Sequence, residues 1–228
     1  MKEKLIEIKN VTKVYELGKT KVVALNGVDL EVQYGEIISI CGPSGSGKTT
    51  LLNLIGCLDK PTYGEIKILG ANVLSLSDNK LSEIRGRHIG FIFQTFNLIP
   101  VLTAYENVEY PLFLQNVPSR ERKKRVLTIL EEVGLIEFIN HKPDELSGGQ
   151  RQRVAIARAL VTQPEIVLAD EPTANLDTHT GEGILELMQK MNKEYNTTFI
   201  FSTHDHKVLK YANKIYFLRD GKISLTEE

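Results

Sequence analysis

Gly42-Pro43-Ser44-Gly45-Ser46-Gly47-Lys48-Thr49 stands between an apolar, β-branched run, Glu36-Ile37-Ile38-Ser39-Ile40-Cys41, and a second apolar stretch that reads as a helix start, Thr50-Leu51-Leu52-Asn53-Leu54-Ile55. The spacing G-x-x-x-x-G-K-[ST] is that of a phosphate-cradling loop, whose glycines let successive backbone N–H groups turn inward on an anion. Four such fixed positions recur by chance in roughly one chain in a hundred of this length, so the flanks decide the matter. A strand before and a helix after are the context the pattern requires, and the helix N-terminus adds partial positive charge where the anion would sit. A plain glycine-rich turn needs one or two glycines and has no use for Lys48. Thr49 then offers a hydroxyl to a divalent cation such as Mg²⁺.

The chain's 228 residues, 42% of them hydrophobic, suffice for one large domain or a domain with a subdomain. A formal net charge of −1 gives no global basic field, so nucleic acid is not expected as a partner. Cys41 and Cys57 are isolated, with no metal-like His cluster nearby, which fits a reduced setting without a disulfide. Met1-Lys2-Glu3-Lys4 leads into alternating residues with no apolar signal core, and no apolar run approaches the roughly 20 residues of a membrane-spanning helix. Any membrane role is therefore expected to come through a partner.

Leu5 to Val14 and Val22 to Val32 alternate like strands with one wet face, which predicts an antiparallel β layer joined by a polar turn from Tyr15 to Lys21. Tyr15 is either an aromatic packed at a strand end or a platform for a stacked base, and packing is the ordinary reading. Glu65 to Leu69 predicts a short strand, Ser77 to Arg87 a helix, and Ile89 to Phe93 an apolar strand that stops at Gln94. From Gln94 to Gly134 the pattern is helix-rich without strands. Within it, Arg120-Glu121-Arg122-Lys123-Lys124-Arg125 reads as a solvated face before Val126, Ile129, Leu130 and Val133 at helical spacing. Strand and helix alternate again from Glu165, the signature of a parallel sheet with crossover helices, and Asp220-Gly221 closes a hairpin.

Ile166-Val167-Leu168-Ala169-Asp170-Glu171 predicts a buried strand whose C-terminal end presents two adjacent carboxylates, where ligands bind in open parallel sheets. Asp170 would reach the cation beside Thr49, directly or through water. Glu171 points the other way and is free to polarise an attacking water. Read alone, the two acids could simply open a turn before Pro172; beside a phosphate loop the chemical reading prevails. Leu146-Ser147-Gly148-Gly149-Gln150 precedes an apolar-striped helix, Arg151 to Val161. Ser147 and Gln150 fit a capping box, but capping does not require two glycines. These expose backbone N–H groups at a second positive helix end, hence a second anion site. The two ends are not expected to serve one nucleotide, because the first strand-loop-helix unit already wraps the phosphates.

On these residues the chain resembles the nucleotide-binding subunits of ABC transporters over essentially its whole length. The matching motifs are the Walker A loop at Gly42 to Thr49, the Q-loop glutamine Gln94, the LSGGQ signature at Leu146 to Gln150, Walker B ending at Asp170-Glu171, a D-loop at Ala174-Asn175-Leu176-Asp177 and the switch histidine His204. The resemblance implies an α/β P-loop NTPase core with a mostly parallel sheet, an N-terminal antiparallel β layer and an inserted helical subdomain. Residues 1–93 and 162–228 would form the core and β layer, and about 94–161 the helical subdomain. It also implies an ATPase using ATP and Mg²⁺, a homodimer paired head to tail on ATP, and a separate transmembrane permease subunit that holds the chain at the cytoplasmic face of the inner (cell) membrane.

Residue by residue, the resemblance places ATP against Gly42, Pro43, Ser44, Gly45, Ser46, Gly47, Lys48, Thr49 and Thr50 of one copy and Ser147, Gly148, Gly149 and Gln150 of the other. Tyr15 matches the adenine-stacking position, which favours the platform reading. Thr49, Gln94 and Asp170 would hold Mg²⁺; Glu171, His204, Lys48 and Gln94 would carry catalysis. Gly56 to Thr62 and Phe91 to Pro100 look most like the macrolide-exporter and lipoprotein-release branch, and the end at Glu228 fits a stand-alone subunit. Phe96 to Leu102 is then expected to help form a groove for a short cytoplasmic helix of the membrane subunit, against the plainer reading that these residues pack as the helical subdomain's own core. Two other classes stand beside this one. A DNA- or ribosome-directed ABC ATPase would carry paired cassettes or a long coiled-coil insertion, and neither is present; a mechanical or regulatory subunit of an envelope or cell-division complex would share the motifs.

Overall fold

The computed structural model describes residues 4–18 and 20–224. The alternating stretches at the start are two long strands, β1 (Lys4–Leu17) and β2 (Thr20–Gln33), followed by β3 (Ile37–Cys41), α1 (Lys48–Ile55), β4 (Tyr63–Ile68), β5 (Ala71–Asn72), α2 (Asp78–His88) and β6 (Ile89–Ile92). Then come α3 (Ala104–Leu114), α4 (Ser119–Glu132), α5 (Gly148–Leu160), β7 (Ile166–Asp170), α6 (Thr178–Tyr195), β8 (Thr198–Thr203), α7 (His206–Leu209), β9 (Lys214–Arg219) and β10 (Lys222–Ser224). The described residues fall into two compact units, one from Met1–Arg85 and Thr198–Glu228, the other Gly86–Thr197. The stretch after Ser224, on which the expectation of a stand-alone subunit rests, lies outside the described residues. No helix among those described is long and apolar enough to cross a membrane.

In the first unit an antiparallel sheet runs in the order β2-β1-β4-β5. Its inner side chains, Ile6, Ile8, Val11, Val28, Leu30, Val32, Ile66 and Ile68, are fully buried or nearly so, as the alternation requires. Register shifts between Ile8 and Val11, where Asn10 takes φ 47°, interrupt the ladder. The polar turn expected from Tyr15 to Lys21 is instead a continuation of the ladder, with Tyr15 opposite Val22, Glu16 opposite Lys21 and Leu17 opposite Thr20. The first four residues of β2 are all exposed, so here pairing of backbone groups, with no buried face to give a hydrophobic signal, extends the strands. Of the expected turn, Lys19 lies outside the described residues.

The same unit contains β3, buried along its whole length, hydrogen-bonded in parallel to both β8 and β9. A strand covered on both faces reads as a continuous apolar run, and burying each of its isoleucines contributes roughly 1.5–3 kcal/mol. Asp220 (φ 46°) and Gly221 (φ 73°) form the two-residue turn between β9 and β10. Both positions are left-handed, as the primed hairpin turns demand.

The second unit pairs β6 and β7 in parallel and packs α3, α4, α5 and α6 around them. Gly90 in β6 allows α5 to approach: a Cβ there would lie 2.4 Å from the Ala159 carbonyl oxygen. Thr103 caps α3 in a reciprocal box with Glu106, and Asp177 caps α6 by accepting from the Thr180 N–H.

Candidate functional site

The phosphate loop leaves the end of β3 and enters α1 without a capping side chain, because Gly47 occupies the cap at φ 108°. That backbone belongs to glycine, and a Cβ on Gly47 would also sit 2.5 Å from Ala24 O. Gly42 is excluded from carrying a side chain more severely, with Leu218 O 2.0 Å from where its Cβ would be. Pro43, Ser44, Gly45 and Thr49 are exposed, whereas Lys48 is only 8% exposed. Its ammonium folds back on the loop, donating to Gly42 O at 2.6 Å and Pro43 O at 3.0 Å. Ser46 Oγ is buried with no hydrogen-bond partner. An orphaned hydroxyl and a cation held on loop carbonyls suit a concavity meant for an oxyanion.

In the same unit His204 follows β8 directly and is exposed; with His206, Cys41, Gly42, Pro43 and the end of β9 it lines a cleft. Thr50 lies in the first turn of α1. Tyr15 is half-buried near the tip of β1, where desolvation and then the Asp59 carboxylate push its phenol above the ordinary value.

The second unit holds Gln94, Ser147 to Gln150, Asp170 and Glu171. Ser147 caps α5, accepting from the Gln150 N–H while Gln150 Oε1 accepts from the Ser147 N–H at 2.8 Å. The capping box is thus present, and the glycines inside it have a separate packing cause. A Cβ on Gly149 would lie 2.6 Å from Thr180 Cγ2, and one on Gly148 would lie 3.3 Å from Leu176 Cδ2. Asp170 ends β7, and Glu171 follows in the left-handed region at φ 48°, uncommon for a glutamate and worth about 1–2 kcal/mol of local strain. The buried Gln152 amide donates to Pro172 O at 2.7 Å and steadies this turn from α5.

Gln94 lies exposed beyond β6, and Asn175 Nδ2 donates to its carbonyl oxygen at 2.7 Å. The next residues carry two left-handed backbones in a row, Phe96 (φ 62°) and Asn97 (φ 47°). Arg158 of α5 donates to both of their carbonyls, and the Arg151 guanidinium lies 5.3 Å from the Phe96 ring centroid. Beneath the following loop, the buried Asn107 side chain accepts from the Ile99 N–H and reaches Ile99 O, Leu102 O and Thr103 O at 3.2, 3.0 and 3.0 Å. Residues between 96 and 114 divide between two faces. Val108 and Leu112 are buried, as the core reading requires, while Val101 (73%), Phe113 (58%) and Leu114 (61%) stand exposed.

Sequence reasoning missed Asn107, Arg158 and Asp59. No motif marks them, because each acts through backbone carbonyls or a neighbouring side chain that only the fold brings near. Among the described residues no cluster of three His, Cys, Asp or Glu is placed to hold a metal by itself.

The description "ABC transporter" belongs to the family model that matches residues 25–174. The chain belongs to this family. Over 228 residues it is 51% identical to the uncharacterized ABC transporter ATP-binding protein MJ0796 of Methanocaldococcus jannaschii, covering 98% of this chain and 97% of the relative. The lipoprotein-releasing system ATP-binding protein LolD of Francisella tularensis is 47% identical over 226 residues, covering 99% and 98%. A solved dimer of the ATP-binding cassette MJ0796, in a post-hydrolysis state bound to ADP and Pi, matches this fold with a TM-score of 0.89 at 50% identity over 98% of both chains. This cassette is an ATPase with the expected mixed α/β fold.

Proposed function

We propose that two copies of this cassette close head to tail on ATP and drive a separate transmembrane permease subunit from the cytoplasmic face of the cell membrane. The observation that supports this is a second glycine-rich helix N-terminus in the same chain: α1 opens at the end of Gly42–Thr49, and α5 opens within the capped signature, each suited to an anion. Each nucleotide would take its phosphates from the first loop of one copy and be closed over by Ser147 to Gln150 of the other. The exposed apolar residues between 96 and 114, with the core function taken by others of that segment, support a partner seated there. Residues 94–161 serve as the helical subdomain that carries both this surface and the signature.

Lys48 would leave its loop carbonyls for the β- and γ-phosphates, and Tyr15 would stack on the base. Glu171 would take a proton from the attacking water, while His204 and Gln94 would hold that water and the γ-phosphate. Mg²⁺, when bound, would neutralise charge on the phosphates. Thr49, Gln94 and Asp170 offer it hydroxyl, amide and carboxylate oxygens, a donor set suited to a hard cation that keeps several waters. The likeness to LolD favours release or export of a lipoprotein, peptide or macrolide-type substrate over work on nucleic acid.

Glu171→Gln tests the dimer. The amide keeps shape and removes the base, so with ATP the variant should stop turning over and elute as a dimer on size exclusion; a monomer at saturating ATP would contradict the pairing. Leu98→Asp tests the partner. Isolated ATPase should stay near wild type while co-purification with the detergent-solubilised membrane subunit is lost, and undiminished co-purification would place the docking surface elsewhere.

A further inference from the structure

Tyr15 is held by a small polar cluster that none of the motifs includes. Its phenol donates to Asp59 Oδ2 at 2.9 Å. Lys13, two residues earlier on β1, donates to Asp59 Oδ1 at 2.6 Å and to Lys60 O at 2.8 Å, and the Lys60 N–H closes on the same carboxylate at 2.7 Å. The Lys13 side chain is only 11% exposed, and its ammonium lies 4.8 Å from the centroid of the Tyr15 ring. Asp59 itself is tied back to α1, its N–H donating to Asn53 O at 3.3 Å. Thr50, in the first turn of α1, lies beside the phenol. Burial acts to raise the Asp59 carboxyl, but the bonds from Lys13, the Lys60 N–H and Tyr15 outweigh it and hold the group below its ordinary value, hence ionised.

We propose that Asp59, together with Lys13, is a positioning residue for the nucleotide base: it clamps the Tyr15 ring to the helix of the phosphate loop, with Lys13 on one face of the ring and the opposite face left for the base. The inference rests on the reading of Tyr15 as the base platform. A ring free to swing would have to be ordered at each binding event, a loss equivalent to about two- to tenfold in affinity. A clamped ring is already in place, and a cation on its far face draws π-density away from the side where an electron-rich purine stacks. The clamp also fixes the distance from base platform to phosphate loop, because both are fastened to α1.

Asp59→Asn keeps the size of the side chain and removes its charge. The KM for ATP should rise about two- to tenfold with kcat within a factor of about two, a split that general damage to the fold would not produce. The inhibition constant of inorganic tripolyphosphate, which has phosphates and no base, should stay at the wild-type value. In a Tyr15→Ala background, which itself raises the KM, Asp59→Asn should add nothing further. An unaltered KM in Asp59→Asn overturns the proposal, as does a tripolyphosphate constant that rises in step with it or a penalty that persists undiminished without Tyr15. If Tyr15→Ala leaves the KM at wild type, the platform reading falls and the proposal falls with it.

Discussion

Replacing Arg158 with Met removes the donor that braces the turn after Gln94. The guanidinium donates to Asn97 O at 2.5 Å and Phe96 O at 2.8 Å, and both acceptors sit on left-handed residues. Such a backbone costs roughly 1–2 kcal/mol per residue, less for Asn than for Phe, so the turn carries about 2–3 kcal/mol of strain. Hydrogen bonds to a charged group contribute roughly 1.5–3 kcal/mol each. Burial, which pushes the Arg158 guanidinium below its ordinary value, opposes them. Assigning about half of the two bonds' summed gain to the extra cost of burying the guanidinium leaves about 1.5–3 kcal/mol, comparable to the strain it holds in place. Met spans a similar length and donates nothing. Local opening of the turn should then rise by about 2 kcal/mol, or about 30-fold in the opening equilibrium. Hydrogen exchange reads this directly on peptides covering 94–100, where the Phe96 N–H bonds Phe93 O at 3.0 Å and the Asn97 N–H bonds Thr95 O at 2.7 Å. Arg158→Lys, with one compact ammonium for two carbonyls, should fall between wild type and Met. Unchanged exchange over 94–100 in Arg158→Met would show that the turn is held by something else, and the reasoning would fail.

Lys48→Ala should abolish ATP hydrolysis and weaken nucleotide binding while leaving the melting temperature near wild type, since Lys48 bonds loop carbonyls rather than core; hydrolysis at a normal rate in the purified variant would remove the loop from the mechanism. Gly90→Ala should destabilise by about 1–3 kcal/mol, or several degrees in the thermal midpoint, because its Cβ would meet the Ala159 carbonyl at 2.4 Å; an unshifted melt would mean that β6 and α5 can part at little cost. The two thiols are buried, and burial pushes Cys57 up to about 11, so neither should react with an aromatic disulfide near pH 8 until the chain is denatured. A thiol that titrates at once in the native protein would contradict that burial.

Most sheet strands and the helix α2 were legible because their hydrophobic period is local in sequence, whereas α5 begins at Gly148, inside the signature and three residues before the expected Arg151, because its cap is Ser147. Ile37 to Cys41 announces a doubly covered strand, and Ser147 with Gln150 announces the cap of α5. Where burial supplies no signal, periodicity is silent: the exposed Thr20 and Lys21, expected in the turn, are strand by backbone pairing alone, so the ladder outruns that turn. Left-handed Glu171 was equally invisible, since its conformation follows from how the chain leaves β7 rather than from any property of glutamate. Gly90 did carry a signal, an isolated glycine inside a strand pattern that points to close backbone approach. Asn107 carried a misleading one, because an asparagine in a helix is expected on the wet face and here it is buried.

That buried asparagine has a consequence for how the surface above it can change. The Asn107 amide braces the loop from Ile99 to Thr103 from below, so this support does not involve the outward side chains, Val101 foremost. Substitutions at those outward positions would change the face offered to the partner proposed above while leaving the bracket beneath them in place. A partner docking there as proposed would meet a loop already folded, so its capture would be limited by diffusion and orientation rather than by the time the loop needs to take shape.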